Sequence, residues 1–299
     1  MADKKRSFQS RFNSWVMASR PKTLPAAVAP VIVGSALAIS KSKFVPVYSL
    51  IALACSLLIQ IGTNFANDLY DYLRGADTKE RKGPVRVLAS GLISVKEMKA
   101  GVFVVFLTAF LLGLYLVKAA GVVILIIGVA SIAAGIAYTA GPFPLAYHGL
   151  GDLFVFTFFG LIGTMGTYYL HTHEFSFLAF LTSVPIGALV TNILVVNNYR
   201  DIEEDRASGK NTLAVLIGKN LTRYQYVILT VLSFLVPAIL FKWFGYSAWI
   251  FLPYLTIPIA YKTMVMLKTL EGRQLNKTLE LTAKLSALYG LLFAVGLVL

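Results

Sequence analysis

Long apolar segments recur along the whole chain and set the class of fold that it can adopt. Nine of them, separated by charged or Pro/Gly-containing breaks, approach the roughly 20 residues that a helix needs to cross a bilayer. Only 14% of the 299 residues are charged and 57% are hydrophobic, whereas a soluble domain has about 25% charged residues. The sequence therefore predicts an all-α, polytopic membrane protein with nine transmembrane helices in a single bundle. We place these spans near residues 24–40, 46–72, 97–118, 120–140, 151–170, 175–199, 223–243, 247–267 and 279–299.

The distribution of Lys and Arg predicts how the bundle is oriented. Cytoplasmic segments of membrane proteins are enriched in these two residues. A cytoplasmic N-terminus places all but four of the 27 Lys and Arg residues on the cytoplasmic side, the exceptions being Lys41, Lys43, Lys118 and Lys242. We therefore expect an integral protein of the cytoplasmic (inner) membrane. The net charge of +13 follows from this asymmetry and requires no nucleic acid partner.

The predicted spans divide the chain into two regions. Residues 1–19 are basic and polar, which predicts a cytoplasmic N-terminal lead-in rather than a secretory signal. Residues 20–299 are predicted to form one transmembrane domain, because no long polar linker interrupts them. Two basic cytoplasmic loops, near residues 73–96 and 200–222, are predicted to cap its inner face.

Two acid-rich segments each end a predicted span, the second and the sixth. The first holds Asn64, Asn67, Asp68 and Asp71, and the second holds Asn197, Asn198, Asp201 and Asp205. Residues three and four positions apart share one face of a helix, so each segment presents several side-chain oxygens in one direction. Acidic side chains at membrane depth cost about 2.5–3.5 kcal/mol each. A pair of such clusters therefore needs a cationic partner.

Magnesium is the cation that this pattern favours, because it prefers hard oxygen ligands and usually binds one or two carboxylates together with substrate phosphates. We predict that Asp68, Asp71, Asp201 and Asp205 bind Mg²⁺ and form the catalytic centre around a diphosphate. The amides of Asn64, Asn67, Asn197 and Asn198 are predicted to be weaker oxygen partners at the same site. The diphosphate-binding candidates among the basic residues are Lys22, Arg86, Arg200 and Lys210, since both side-chain types bind phosphate.

Other interpretations of these residues remain open at this point. Lys and Arg near span ends also occur as ordinary positive-inside residues that pair with acids at the membrane edge. Asp152, at the start of the predicted fifth span, is either a helix cap or a site residue, and Asp77 has no assigned role. Intramembrane acids are also found in cation-coupled transporters. Those acids usually lie near the bilayer midplane, however, rather than at cytoplasmic helix ends.

The two acid-rich segments resemble the motifs of the UbiA-type intramembrane prenyltransferases. That family has Asn-Asp-x-x-Asp on its second helix and Asp-x-x-x-Asp on its sixth, which match Asn67-Asp68-x-x-Asp71 and Asp201-x-x-x-Asp205. The predicted span count and orientation also agree with the family. Further strings resemble the branch that prenylates 1,4-dihydroxy-2-naphthoate in menaquinone synthesis: Arg20-Pro21-Lys22-Thr23, Gly83-Pro84-Val85-Arg86-Val87, Tyr138-Thr139-Ala140-Gly141-Pro142 and Gly149-Leu150-Gly151-Asp152.

Two positions depart from the family pattern. A further Asp is common four residues after the one that matches Asp71, but Gly75 stands there and the next acid is Asp77. Many relatives have a Lys shortly after the Tyr that matches Tyr138, and this chain has none in that loop. Another cation must therefore neutralise phosphate on that side of the site.

The resemblance implies a magnesium-dependent aromatic prenyltransferase. Its substrates would be a polyprenyl diphosphate and an aromatic acid, and membrane lipid would surround the bundle. Transfer to 1,4-dihydroxy-2-naphthoate with decarboxylation would give demethylmenaquinol. The alternative acceptors are 4-hydroxybenzoate and homogentisate, and a cation-coupled transporter is the alternative from another class. The sequence sets neither the prenyl chain length nor the oligomeric state, and no residue stands out as the base.

Overall fold

The protein is a bundle of helices in a computed structural model that describes residues 2–76 and 86–299, and no β-strand occurs among these residues. Its helices are α1 (Ala2–Ser19), α2 (Pro25–Ser40), α3 (Pro46–Leu73), α4 (Val95–Ala120), α5 (Val122–Ala137), α6 (Gly151–Thr172), α7 (Phe177–Ala207), α8 (Leu213–Phe244), α9 (Ala248–Thr269) and α10 (Gly272–Val298). Neighbours in sequence pack together, as α3 does with α4 and α7 with α8. The last helix, α10, packs against α2, so the bundle closes on itself.

The described helices agree only in part with the predicted nine spans. Seven are long and apolar enough to cross a membrane, or eight if the bent pair of Arg11–Thr23 and Pro25–Ser40 is one span. The remaining predicted span, near 120–140, corresponds to α5, which is apolar but has only 16 residues. Gly121 separates it from α4 with a φ of 78°, a backbone conformation that favours glycine. The all-helical membrane class is thus confirmed, while the nine-span count and the N-terminal orientation stay predictions.

Arg20 turns the chain sharply between α1 and α2. Its backbone is left-handed, with φ 52° and ψ 66°, and the two helical segments meet at a 53° bend. A residue other than glycine in this conformation costs roughly 1–2 kcal/mol, which surrounding contacts must offset. One such contact lies on α1, where the Trp15 ring packs 5.1 Å from that of Phe65 on α3. The bend holds the Arg20 side chain at the entrance to the bundle interior.

Helix α6 contains a π-helical stretch, Phe156–Ile162, and approaches α7 very closely. A Cβ atom on Gly160 would lie 2.5 Å from the Cα of Gly187, so only glycine fits at this crossing. Small residues allow transmembrane helices to pack in this way, and π-helical segments often occur at functional sites. Gly160 and Gly187 thus allow α6 and α7 to pack closely.

The predicted cap loops differ from the structure. Helix α7 continues to Ala207 and α8 begins at Leu213, so residues 200–207 and 213–222 of the predicted loop near 200–222 are helical, apart from a kink at Gly218 with φ 78° and ψ 171°. Hydropathy falls where a helix leaves the membrane, but the helix itself continues because polar side chains still pair along it, as Arg206 does with Glu203 at 3.3 Å. Residues 77–85 of the loop near 73–96, including Asp77, lie outside the described residues.

Candidate active site

A cavity of about 370 Å³ runs through the bundle between α2, α3, α4, α5, α6 and α7. On α3 its wall extends from Asp71 back to Ala52, which is about 28 Å at the 1.5 Å rise of an α-helix. Away from Asp71 the lining of the whole cavity is mostly apolar, and its polar members there are Ser56, Gln60, Thr63, Ser131 and Thr167. Polar and charged residues line one end: Arg20, Thr23, Asn64, Asn67, Asp71, Arg86, Tyr138, Thr139, Asn197, Asn198, Asp201, Glu204, Asp205 and Lys210. The cavity thus joins a charged mouth to a long apolar channel.

Asp71 is the centre of contacts on the α3 side of the mouth. Arg86 donates a hydrogen bond to its Oδ2 at 3.0 Å, and the Tyr147 hydroxyl donates to its Oδ1 at 2.9 Å. The second Arg86 nitrogen, Nη1, lies 3.5 Å from Asp68 Oδ1. All three charged groups are buried. Arg86 therefore balances two carboxylates inside the protein, where an unpaired charge is costly.

Asp201 is held on the α7 side by its neighbour in sequence. Arg200 donates from Nε to Asp201 Oδ1 at 2.7 Å and from Nη2 to Oδ2 at 2.6 Å. The same guanidinium donates to Asn197 at 2.8 Å and to Asn276 of α10 at 2.6 Å. Its side chain is only 1% exposed. This bidentate pair fixes the orientation of Asp201 toward the cavity.

Lys210 connects the two sides of the mouth. Its Nζ lies 3.9 Å from Asp71 Oδ2 and 5.4 Å from the centre of the Tyr147 ring. Its backbone N–H donates to the carbonyl of Asp205 at 2.8 Å. A residue that follows the second acid-rich segment thus contacts an aspartate of the first. The two segments, which are 130 residues apart in sequence by the spacing of Asp71 and Asp201, face one chamber.

Most of the predicted site residues line this mouth, but three do not. Those that line it are Asn64, Asn67, Asp71, Arg86, Asn197, Asn198, Asp201, Asp205 and Lys210. Asp68 lies behind the wall and reaches the site through Arg86. Arg200 also lies behind it, holding Asp201. Lys22 is 75% exposed and pairs with Glu280 of α10 at 3.0 Å, so it ties the start of α2 to the last helix.

The mouth also contains residues that sequence reasoning did not assign to the site. Arg20, Tyr138, Thr139 and Glu204 line it, and Tyr147 reaches Asp71 from the loop between α5 and α6. Thr139 donates to Asn67 Oδ1 at 2.9 Å. Arg20, Tyr138 and Thr139 occur in the strings that carry the family resemblance, which is a usable signal. Nothing local in the sequence indicates Tyr147.

Apolar side chains form the opposite end of the cavity. Buried Leu116, Ile124 and Leu170 pack together there. Beyond them, His171 Nδ1 accepts a hydrogen bond from the backbone N–H of Val45 at 3.2 Å, and Nε2 lies 3.0 Å from the Ser49 hydroxyl. These contacts tie the last turn of α6 to the first turn of α3. Among the described residues, this end therefore presents mainly apolar side chains to a ligand that enters at the charged mouth.

The oxygen atoms at the mouth suit a divalent cation. Across the described residues, no three Asp, Glu, His or Cys side chains converge closely enough to hold an ion, and Arg86, Lys210 and Arg200 contact the carboxylates instead. The donors nevertheless have the right chemistry, because carboxylate and amide oxygens from both acid-rich segments line one chamber. Such hard oxygen ligands, shared with phosphate, are those that Mg²⁺ prefers.

Comparison with known sequences identifies the family. The sequence profile of the UbiA prenyltransferase family matches residues 27–288. The 1,4-dihydroxy-2-naphthoate octaprenyltransferase of Escherichia coli (strain K12) is 39% identical over 299 residues, covering 97% of this chain and 96% of that protein. The protein with the same description in Haemophilus influenzae (strain ATCC 51907 / DSM 11121 / KW20 / Rd) is 36% identical over 310 residues, covering 99% of each.

Comparison with solved structures agrees at the level of the fold. A UbiA homolog from Archaeoglobus fulgidus bound to GPP and Mg²⁺ superposes with a TM-score of 0.67 at 15% identity, covering 95% of this chain and 99% of that one. The apo UbiA homolog from Aeropyrum pernix K1 has a TM-score of 0.69 at 16% identity, covering 92% and 98%. The facing acid-rich segments, the profile match and the near-full-length relatives together show that this chain is an enzyme of the UbiA prenyltransferase family.

Proposed function

We propose that this enzyme transfers a polyprenyl group from a polyprenyl diphosphate to 1,4-dihydroxy-2-naphthoate, with loss of carbon dioxide, to give demethylmenaquinol. One observation carries the proposal: both acid-rich segments line the charged mouth of a cavity whose remaining lining is mostly apolar. That shape suits a substrate with an anionic head and a long hydrocarbon tail. The acceptor is inferred from relatives described as 1,4-dihydroxy-2-naphthoate octaprenyltransferases.

The diphosphate binds at the mouth in this proposal. Arg86 and Lys210 line it and would contact phosphate oxygens, while Asp71, Asp201 and Asp205 would hold Mg²⁺ with help from the nearby Asn amides. The Mg²⁺ ion supplies charge neutralisation for the departing diphosphate. A related fold bound to GPP and Mg²⁺ supports the choice of ligand and metal. Arg200 acts indirectly, because it fixes Asp201 without lining the cavity.

The apolar channel protects the reaction and holds the tail. Phe154, Phe158 and Phe159 of α6 line the cavity beyond the mouth. Aromatic faces attract cations, so these rings are suited to flank the allylic carbon as its bond to the diphosphate lengthens. Excluding water from this region prevents hydrolysis of the reactive centre. The bundle thus performs a carbocation-like transfer inside a membrane rather than in solution.

A competition assay tests the proposed function. Purified enzyme with magnesium and a polyprenyl diphosphate is given equal amounts of 1,4-dihydroxy-2-naphthoate, 4-hydroxybenzoate and homogentisate. We expect the naphthoate to be prenylated preferentially, with one carbon dioxide released per product, measured by mass spectrometry and a carboxyl label. Prenylated 4-hydroxybenzoate that retains its carboxylate would show that the acceptor is wrong. Absence of any prenylated product would contradict the reaction itself.

The length of the channel predicts an effect on tail length. Gly128 of α5 lines the cavity, and no atom lies within 4 Å of a Cβ built there. It is ten residues before Tyr138, or about 15 Å from the mouth. Gly128→Phe would therefore block the far channel. We expect at least a 10-fold loss of turnover with a 40-carbon diphosphate and little loss with a 10-carbon one.

The matched control for the channel is Ile126→Phe. Ile126 lies on the same helix, is exposed on the outside of the bundle and does not line the cavity. This variant should use both tail lengths as the unchanged enzyme does. Equal losses for both tail lengths in Gly128→Phe would contradict the assignment of the channel to the tail.

A further inference from the structure

Asp152 is a buried carboxylate that the diphosphate site does not use. It lies in the first turn of α6, is 6% exposed and is absent from both acid-rich segments. Its Oδ1 accepts a hydrogen bond from Gln225 Nε2 of α8 at 3.0 Å. Its Oδ2 is buried and has no hydrogen-bond partner in the part of the chain that the structure describes. An unsatisfied buried oxygen on an acid is costly and calls for an explanation.

Tyr138 lines the mouth of the cavity and lies next to the residue that precedes this carboxylate. A Cβ on Gly151, the residue before Asp152, would lie 3.0 Å from the Tyr138 hydroxyl oxygen. Tyr138 is also part of the cavity lining. The negative charges of Asp152 and of Asp71 both act on it electrostatically. Tyr138 therefore lies near both the proposed substrate chamber and a buried acid with a vacant acceptor position.

From this juxtaposition we infer that Tyr138 binds the hydroxyl group of the aromatic acceptor and that Asp152 is the proton acceptor behind it. The inference rests on the proposed function. Proton transfer through one intervening water or a small rotation of a side chain is common at such sites, where hydrogen bonds tighten only when substrate binds. Asp152 acts through Tyr138, so it is a positioning and relay residue rather than one that touches the substrate.

The relay balances the reaction without a net gain or loss of protons. The acceptor hydroxyl gives its proton to Tyr138, whose own proton passes to Asp152. The ring carbon then forms its bond to the prenyl carbon, and the carbon–oxygen bond to the diphosphate breaks with its electron pair on the diphosphate. The bond to the carboxylate breaks next and returns its electron pair to the ring as carbon dioxide leaves. The ring oxygen finally takes the proton back through the same two residues.

Two single substitutions separate this role from a structural one. Asp152→Asn keeps the oxygen that accepts from Gln225 but cannot take up the proton. Gln225→Met removes that hydrogen bond but keeps the carboxylate. General-base groups contribute about 10²–10⁴-fold, so Asp152→Asn should lose at least about 100-fold in kcat while the KM for the polyprenyl diphosphate stays unchanged. Gln225→Met should stay within about threefold of the unchanged enzyme.

Tyr138→Phe and the double variant complete the test. Residues that act as one unit are not additive, so Tyr138→Phe should lose about as much as Asp152→Asn, and the double variant no more than either. An acceptor whose hydroxyl is methylated has no proton to give, so Asp152→Asn and the unchanged enzyme should use it at the same rate. Thermal unfolding of every variant checks folding, and Tyr138→Phe remains informative if Asp152→Asn does not fold.

Three outcomes overturn the inference. The first is an unchanged kcat in Asp152→Asn. The second is a loss of kcat in Gln225→Met as large as that in Asp152→Asn. The third is a rise in the KM of Asp152→Asn for the polyprenyl diphosphate as large as its loss of kcat. The unchanged enzyme is assayed first with each aromatic acid. If it prenylates none of them, the proposed function fails. If it prenylates the naphthoate and Asp152→Asn does so equally well, only the relay fails.

Discussion

Asp71→Asn is expected to lower turnover by about 10²–10³-fold, the size of effect seen when one preorganised electrostatic group is removed from an active site. Asp71 lines the mouth and is contacted by Arg86, Tyr147 and Lys210. The amide keeps the shape of the side chain but loses the charge that the proposed Mg²⁺ site needs. The measurement is turnover of purified enzyme at saturating substrates over a range of magnesium concentrations. Asp201→Asn should behave in the same way.

Glu203→Gln is the control for these two variants. It makes the same change from carboxylate to amide on α7, two residues from Asp201. Glu203 is exposed, pairs with Arg206 and Lys219, and does not line the cavity. Its turnover should stay within about twofold of the unchanged enzyme, as expected for exposed ion pairs worth at most about 1 kcal/mol. Normal turnover in both Asp71→Asn and Asp201→Asn would reject the assignment of these residues to the metal.

Gly187→Leu is expected to destabilise the fold by disrupting the close crossing of α6 and α7. A Cβ on Gly187 would lie 3.0 Å from the Cα of Gly160 and 3.0 Å from the carbonyl oxygen of Phe156. Both contacts are backbone atoms and cannot move aside without separating α6 from α7. Inserting carbon atoms into a packed interior costs about 1–3 kcal/mol or more. The thermal midpoint in detergent should fall by about 5 °C or more.

Gly113→Leu provides the comparison for Gly187→Leu. Gly113 lies in α4, and no atom lies within 4 Å of a Cβ built on it. The same leucine there should leave the thermal midpoint within about 1 °C, because it meets open space. Equal midpoints for the two variants would show that the crossing of α6 and α7 tolerates separation. The π-helical stretch that contains Gly160 would then not be required for close contact between α6 and α7.

The sequence predicts the helical membrane class well because bilayer-length apolar runs have few other uses. The same reasoning is weaker at α5, which is apolar over only 16 residues and ends at Ala137. Hydropathy also fails to mark the end of α7, since a helix that leaves the membrane can continue in water to Ala207. Periodicity and composition therefore predict which segments form apolar helices, but not where each helix begins and ends.

The sequence predicts which segments meet at the site, but it does not predict which side-chain atoms line the cavity. Helical spacing puts Asp68 and Asp71 on one face, yet only Asp71 reaches the cavity, because Arg86 holds Asp68 behind the wall. Lys22 pairs with Glu280 at 3.0 Å, a contact between the two ends of the chain that no local pattern reveals. Arg200 and Asp201 are adjacent in sequence, and the side chains of adjacent helical residues normally point in different directions. The long Arg200 side chain nevertheless folds back, so its guanidinium donates to the Asp201 carboxylate.

The apolar packing at the far end of the cavity has a consequence for the cell. A membrane protein with a long internal void and a charged, wettable entrance risks becoming a leak for protons and other ions. Leu116, Ile124 and Leu170 pack together as an apolar layer at the far end. The hydrogen bond between His171 and Ser49 joins α6 to α3 beside this layer. Dewetted apolar constrictions of this kind stop ion passage. The enzyme can therefore bind a large hydrophobic substrate within the bilayer without dissipating the electrochemical gradient across that bilayer.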